Sequence, residues 1–245
     1  MAVGSFLNLC IDRLPRKESI VEGRSHCDAC GRQLRPLELI PVVSYLTLRG
    51  RCRTCGARIP ARIVVIEAVT GAMFGILAAV YGPTSVSAIL GVYGCILLVV
   101  LVIDLDHKLI LNVVVLPSLV FALGVAAIAP PPWLGTIGAM PLFNALLGAV
   151  TGFGLLFVVA LVAKGGMGWG DVKFAAFMGA ATGFPLVIVG LFLGIVAGGL
   201  TGIFLLVTGK RGRKQGIPFG PFLAVGTMAA MLWGQPILAW YLGMM

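Results

Sequence analysis

The chain reads as an all-α polytopic membrane protein: a bundle of about seven to eight helices, the first short or truncated, with a small cytoplasmic zinc-binding domain. Three observations predict this. Of the 245 residues, 59% are hydrophobic and 11% charged, with a mean hydropathy of +1.06, far from the mixture of a soluble domain. Apolar runs of about 20 residues recur along the chain, long enough to cross a hydrocarbon core of roughly 30 Å. The only polar stretch of any size holds four cysteines arranged as two Cys-x-x-Cys pairs.

Taken in order, residues 1–11 are apolar but too short to span a bilayer alone. They lack the basic n-region and small-residue cleavage site of a signal peptide, so a truncated or partial first membrane helix is expected. Residues 12–61 form the polar zinc domain. Residues 62–245 form the membrane-embedded domain, with helices expected at 62–81, 86–104, 110–129, 142–163, 185–207 and 218–242. A shorter helix begins at Asp171 and ends near Thr182-Gly183. Glycines at Gly71/Gly75, Gly148/Gly152 and Gly190/Gly194/Gly198 recur every four residues, which places them on one helix face where backbones approach closely.

Basic residues orient the bundle. All 18 fall in four places: 13–62, Lys108, the turn 164–173 and the run 210–214, whereas the loops at 82–85, 130–141 and 183–185 carry no charge. Threading the helices alternately puts every basic position on one side, which the positive-inside rule makes the cytoplasm. A membrane protein with the bilayer as partner follows, its basic loops together with Asp104 and Asp171 expected on the cytoplasmic side. The net charge of +9 is accounted for by topology and attraction to anionic lipid. Residues 12–61 hold a single aromatic, Tyr45, so no nucleic acid partner is expected.

Cys27-Asp28-Ala29-Cys30-Gly31 and Cys52-Arg53-Thr54-Cys55-Gly56 are twin knuckles separated by 21 residues. That spacing suits a four-thiolate structural zinc site on Cys27, Cys30, Cys52 and Cys55. The glycine after each second cysteine permits the sharp turn such a site needs. A pair of disulfides is the competing arrangement, disfavoured in a reducing cytoplasm. Four thiolates leave no open position for water, and a domain of about 50 residues needs a staple to fold. His26 beside Cys27 is either a substitute ligand or, as is commoner, merely exposed, and Cys10 and Cys95 are read as small buried hydrophobes.

Two acids stand where a membrane tolerates them least. Asp104 closes the apolar run 89–103, and Asp171 follows the glycine-studded turn Gly165-Gly166-Met167-Gly168-Trp169-Gly170. Carboxylates at the bilayer edge are costly and call for a function and a partner. Each is the other's candidate partner, because two close aspartates that share a proton are the machinery of an aspartic protease. The competing reading of Asp171 is a helix cap. Asp106 rivals Asp104 but lies on the opposite helix face and suits the wet interfacial turn with His107 and Lys108. Lys173 either holds an anion, orients substrate, or snorkels to the interface. Glu67, an acid inside an apolar run, is expected to pair with an arginine of the preceding segment or to meet a cationic group of a substrate.

These residues resemble the type IV prepilin peptidase family, a group of GxGD-type membrane aspartic proteases, over nearly the whole chain. The resemblance is carried by Gly4-Ser5-Phe6-Leu7-Asn8 with Arg13-Leu14-Pro15, Gly23-Arg24-Ser25 through Cys30, and Ile40-Pro41-Val42-Val43-Ser44-Tyr45-Leu46. It continues through Leu48-Arg49-Gly50-Arg51-Cys52, Val65-Ile66-Glu67, Gly168-Trp169-Gly170-Asp171-Val172-Lys173 and Ile217-Pro218-Phe219-Gly220-Pro221. It implies Asp104 and Asp171 as catalytic residues, with Gly168, Gly170, Lys173 and Glu67 in supporting roles. It further implies removal of the short basic leader of prepilins or pseudopilins after a glycine, and N-methylation of the new terminus with S-adenosylmethionine. No independent nucleotide-binding fingerprint accompanies that second activity. Two departures stand out: only Met1–Val3 precede Gly4, and Leu111-Asn112 stands where proline and a polar residue are usual. A proton-coupled transporter with a regulatory zinc ribbon, and a catalytically impaired truncated family member, are the alternatives.

Overall fold

The computed structural model describes residues 1–22, 25–135, 140–162, 166–208 and 217–243. The basic run 210–214, together with Gly23, Arg24, Lys164 and Gly165 of the sequence motifs, lies outside the described residues. Among those described, the named elements are helical, and isolated β-bridges pair His26 with Gln33 and Arg51 with Arg58. The helices are α1 (Ala2–Arg13), α2 (Val43–Thr47), α3 (Ala61–Tyr81), α4 (Ser85–His107), α5 (Asn112–Ile128), α6 (Pro141–Val162), α7 (Trp169–Thr182), α8 (Leu186–Val207) and α9 (Gly220–Tyr241). Five of them, α3, α4, α6, α8 and α9, are long and apolar enough to cross a membrane, and α5 is a shorter apolar helix. Expectation and structure agree to within a few residues at every apolar run. The addition is α2, too short and too polar to register as a periodic pattern.

The chain falls into two compact units, Met1–Cys95 and Ile96–Met245. The first is organised by the packing of α1 on α3. One stripe of α1, at four-residue spacing, meets α3. A β-carbon at Gly4 would lie 2.8 Å from the Glu67 Cα, the Asn8 amide Nδ2 donates to the Ile63 carbonyl (3.0 Å), and Asp12 pairs with Arg62. The sequence therefore specifies this seam through one missing side chain and two polar ones. Between the two helices run the cysteine knuckles, a 3₁₀ turn at Pro36–Leu39, and α2.

The second unit is built around α7, which packs against α5, α6, α8 and α9. Every residue from Phe174 to Thr182 is buried, as expected of a helix that is apolar on all sides. Close approach is bought with small residues. A β-carbon at Gly148 would overlap the Gly179 carbonyl, one at Gly152 the Ala175 carbonyl, and one at Gly179 the Gly148 backbone. The α8–α9 pair uses the same device, Gly190 and Gly194 facing Gly226 and Phe222. Gly75 meets nothing within 4 Å, so not every glycine of the four-residue pattern is a packing contact.

Opposite in chain direction to the start of α7, its C-terminal end is held by a polar knot that the proline-rich linker concealed. Trp133 Nε1 donates to the Ala181 carbonyl (3.0 Å) and the Phe184 N–H donates to Asn144 Oδ1 (2.8 Å). Asn144 Nδ2 donates to the Leu134 carbonyl, and Gln235 Nε2 to that of Trp133 (3.3 Å). Backbone groups near a helix end without intrahelical partners are thereby satisfied by side chains.

Candidate functional site

Asp104 lies one turn before the end of α4 and is buried. Its Oδ2 accepts the backbone N–H of Gly220 (2.8 Å), the first residue of α9. The N-terminal N–H groups of a helix have no intrahelical acceptor, so a carboxylate is a natural partner for one. Gly220 also leaves the space that the carboxylate fills, since a β-carbon there would fall 2.8 Å from Oδ2. Asp106, two residues on, is exposed.

Asp171 is not the N-cap residue of α7. The helix begins two residues earlier than expected, with Gly168 at the N-cap and Asp171 in the first turn. Its carboxylate turns back to accept the Gly168 N–H, half of a capping box, and a β-carbon on Gly168 would stand 3.1 Å from its Oδ2. Gly170 faces the other way, against the α4–α5 connection, where a β-carbon would fall 2.8 Å from Ile110 Cβ. The two glycines of Gly-x-Gly-Asp thus have separate tasks, one toward the aspartate and one toward the backbone beside it. Asp171 lies within electrostatic reach of Asp104, although 66 residues separate them in sequence. Lys173 donates from Nζ to Asn112 Oδ1 (3.1 Å) at the start of α5, so the departure at Leu111-Asn112 supplies this lysine with a partner.

In the first unit the Sγ atoms of Cys27, Cys30, Cys52 and Cys55 all lie within 4.8 Å of one another. The Cys27–Cys55 pair is 3.8 Å apart, about the 3.8 Å edge of a tetrahedron with metal–sulfur bonds of ~2.3 Å. All four are free thiols, as are Cys10 and Cys95. The two knuckles repeat one fold. The N–H of Cys27 donates to the Arg32 carbonyl (2.9 Å) and that of Cys52 to Ala57 (2.8 Å). Gly31 and Gly56 adopt φ of +68° and +70°, a conformation in which only glycine is unstrained. The backbone N–H groups of Cys55 and Thr54, directed at the Cys52 sulfur, bring that thiol down to about 6. Arg32 interacts with the same sulfur while pairing with Glu38 (2.9 Å), and Glu38 also takes the Arg35 N–H (2.8 Å). These groups are the outer shell that orients the ligand sulfurs of a metal site; the sequence pattern of four cysteines gave no sign of them.

Glu67 is buried at the α1–α3 seam, and Oε2 accepts the N–H of Val42 (2.8 Å). Val42 has φ +62°, an uncommon conformation for a β-branched residue. The expected arginine is replaced by this backbone donor. Beside Glu67 opens a cleft of about 660 Å³ with Asn8, Glu67, Tyr45 and the first knuckle among its walls.

Residues 1–81 match the family model described as Bacterial Peptidase A24 N-terminal domain, and residues 91–203 the one described as Type IV leader peptidase family. The prepilin leader peptidase/N-methyltransferase of Bacillus subtilis is 33% identical over 245 residues, covering 100% of this chain and 95% of the relative. The proteins of the same name from Pseudomonas aeruginosa and Pseudomonas putida are 33% and 34% identical. They cover 99% and 98% of this chain and 90% of each relative. No solved structure matches the chain. A family of peptidases does not favour the transporter alternative, and the chain belongs to the type IV leader peptidase family.

Proposed function

We propose that the protein is a membrane aspartic endopeptidase that removes the short basic leader of prepilins or pseudopilins after a glycine, and then N-methylates the new terminus. The observation that carries the peptidase reading is the approach of Asp104 and Asp171, each held by a glycine N–H at the start of a helix. Two carboxylates that feel each other's charge do not both ionise freely, so one retains a proton. The ionised one takes a proton from water as the water oxygen attacks the scissile carbonyl. The protonated one donates to the carbonyl oxygen, and collapse of the tetrahedral species returns a proton to the leaving amine. Gly168 and Gly170 give Asp171 and its neighbouring backbone room, and Lys173, tethered to Asn112, orients α5 beside the site.

The charge bias supports a cytoplasmic location for the knuckles and the aspartates in a bacterial inner membrane, where a basic leader would be held. Cys27, Cys30, Cys52 and Cys55 would hold zinc; their mutual distances and all-thiolate chemistry fit it, and its role is structural. S-adenosylmethionine, when bound, would supply the methyl group for the new terminal amine. The buried, unpartnered Asn8 Oδ1 in the cleft of the first unit is an observation that fits a bound polar ligand.

The test is incubation of the detergent-solubilised protein with a prepilin-type substrate, followed by mass spectrometry of the product. Asp104→Asn and Asp171→Asn should each lower leader removal by at least about 10²–10⁴-fold, the scale of a lost general acid or base. Continued cleavage by both variants would sink the dyad. One methyl added to the processed terminus is the expected sign of the second activity.

A further inference from the structure

We infer that Trp133 is a positioning residue for the dyad: it pins the helix that carries Asp171 to the helix that holds Asp104, away from the chemistry. This rests on the peptidase reading above. The Trp133 Nε1 donates to the Ala181 carbonyl of α7 (3.0 Å), and its own carbonyl accepts Gln235 Nε2 of α9 (3.3 Å). α7 carries Asp171 in its first turn, and the N–H of Gly220, the first residue of α9, holds Asp104. One residue is thus bonded to both helices on which the dyad depends. At 1.5 Å per residue, the bond to α7 lies about 15 Å from Asp171 and the bond to α9 about 22 Å from Gly220.

Each bond has a local cause. The fourth residue after Ala181 is Pro185, which has no N–H to continue the α7 ladder, so the Ala181 carbonyl is open to an outside donor. Gln235 precedes Pro236 inside α9, which removes one bond of that ladder, and the tether stands beside the break. Trp133 is itself held from behind. It is 7% exposed, and the carbonyl of the adjoining Leu134 accepts Asn144 Nδ2, while Asn144 Oδ1 takes the Phe184 N–H (2.8 Å). Asn144 is 2% exposed, so a buried amide with both ends used anchors Trp133 to α6 and to the corner that follows α7.

The α6–α7 contact does not set this position finely. Backbone meets backbone there at Gly148, Gly152 and Gly179, which excludes a shift by a whole residue, because Met178 or Ala180 would bring a side chain into the contact. Against a slide shorter than that step of about 1.5 Å it offers few interlocking side chains. About 1 Å of misplacement is enough to cost about 10²-fold in rate. At the aspartate end, the bond from Lys173 to Asn112 (3.1 Å) is an exposed one through a long side chain. The buried knot is the stiffer constraint on where α7 stands along α9.

The test uses the full chain in detergent with a prepilin-type substrate and reads kcat and KM separately. Trp133→Phe keeps a ring and removes the donor to α7. Gln235→Met keeps a side chain of similar length at an exposed residue and removes the donor to α9. Each should lower kcat about tenfold, part of the penalty for about 1 Å, and leave KM within about twofold. The two bonds act in series, so breaking either one frees α7 from α9, and the double variant should lose no more than the worse single one. The limbs of the pH–rate profile belong to the coupled pair and should move in each variant, which a smaller folded fraction would not cause. Unchanged kcat in both single variants, losses that multiply in the double variant, or a lowered kcat with unmoved limbs overturns the assignment while the peptidase reading stands. If the wild-type protein leaves the substrate uncut, the peptidase reading falls, and this role with it.

Discussion

Gly220 has no side chain where Asp104 needs the space. Alanine there would set a β-carbon 2.8 Å from Oδ2 and push the carboxylate off the N–H that holds it. A displacement on the order of 1 Å in a catalytic group costs about 10²-fold. Gly220→Ala should therefore reduce leader removal by about that factor while the melting temperature in detergent stays near wild type. Gly168→Ala, whose β-carbon would stand 3.1 Å from Asp171 Oδ2, should cost less. Kinetics of both variants on one substrate would check the order, and a reversed order would remove Gly220 from its positioning role. Glu38 offers a pH test outside the membrane. The Arg32 guanidinium and the Arg35 N–H hold its carboxyl below the usual range. Its stabilising contribution is thus complete above the ordinary carboxylate pKa and fades as pH falls through the lowered value. Comparison of unfolding against pH should show Glu38→Gln flattening the acid side of the profile.

Helix contacts are where small residues decide stability. In lipid, helices gain little from apolar burial against one another, so close packing must supply the attraction. The α6–α7 contact meets that demand with Gly148, Gly152 and Gly179, which lie backbone against backbone. Gly179→Val must force the two helices apart and should destabilise the protein by at least about 1–3 kcal/mol, the scale of overpacking. Gly75→Ala opens onto free space and should be near neutral. Thermal unfolding of the two variants in one detergent would discriminate; equal effects would mean that the four-residue glycine spacing, rather than contact, sets the cost. The position of α7 also bears on the candidate site. A helix buried on all sides fixes the backbone of Asp171, whereas an edge helix would not.

On the scale of the whole molecule, the two units have different sources of stability. The bundle rests on helix packing, whereas the segment between α1 and α3 has few buried large side chains, and the proposed staple there is a metal held by the cysteine cluster. Chelation of the metal, or Cys52→Ser, should render residues 25–59 sensitive to protease while the helices from α5 onward remain protected. Limited proteolysis with mass-spectrometric mapping would show this. Uniform protection after complete metal removal would contradict a structural role for the ion.

The apolar runs gave away the helices, because length and hydropathy are properties of contiguous residues and the bilayer leaves the backbone no alternative. The two cysteine pairs disclosed the knuckles for the same reason, their spacing being local. The acids at Asp104 and Asp171 stood out because a carboxylate is conspicuous in an apolar run. Tertiary structure alone decided the rest: that Asp171 reaches back to Gly168 from the first turn of α7 instead of standing at its N-cap, that Gly220 supplies a donor to Asp104, and that Glu67 serves Val42. It also revealed the Trp133–Asn144 knot and the orphaned Asn8 oxygen. Each of those depends on which groups meet across tens of residues of chain, and a hydrogen bond to a backbone N–H leaves no mark on the identity of the residue that donates it.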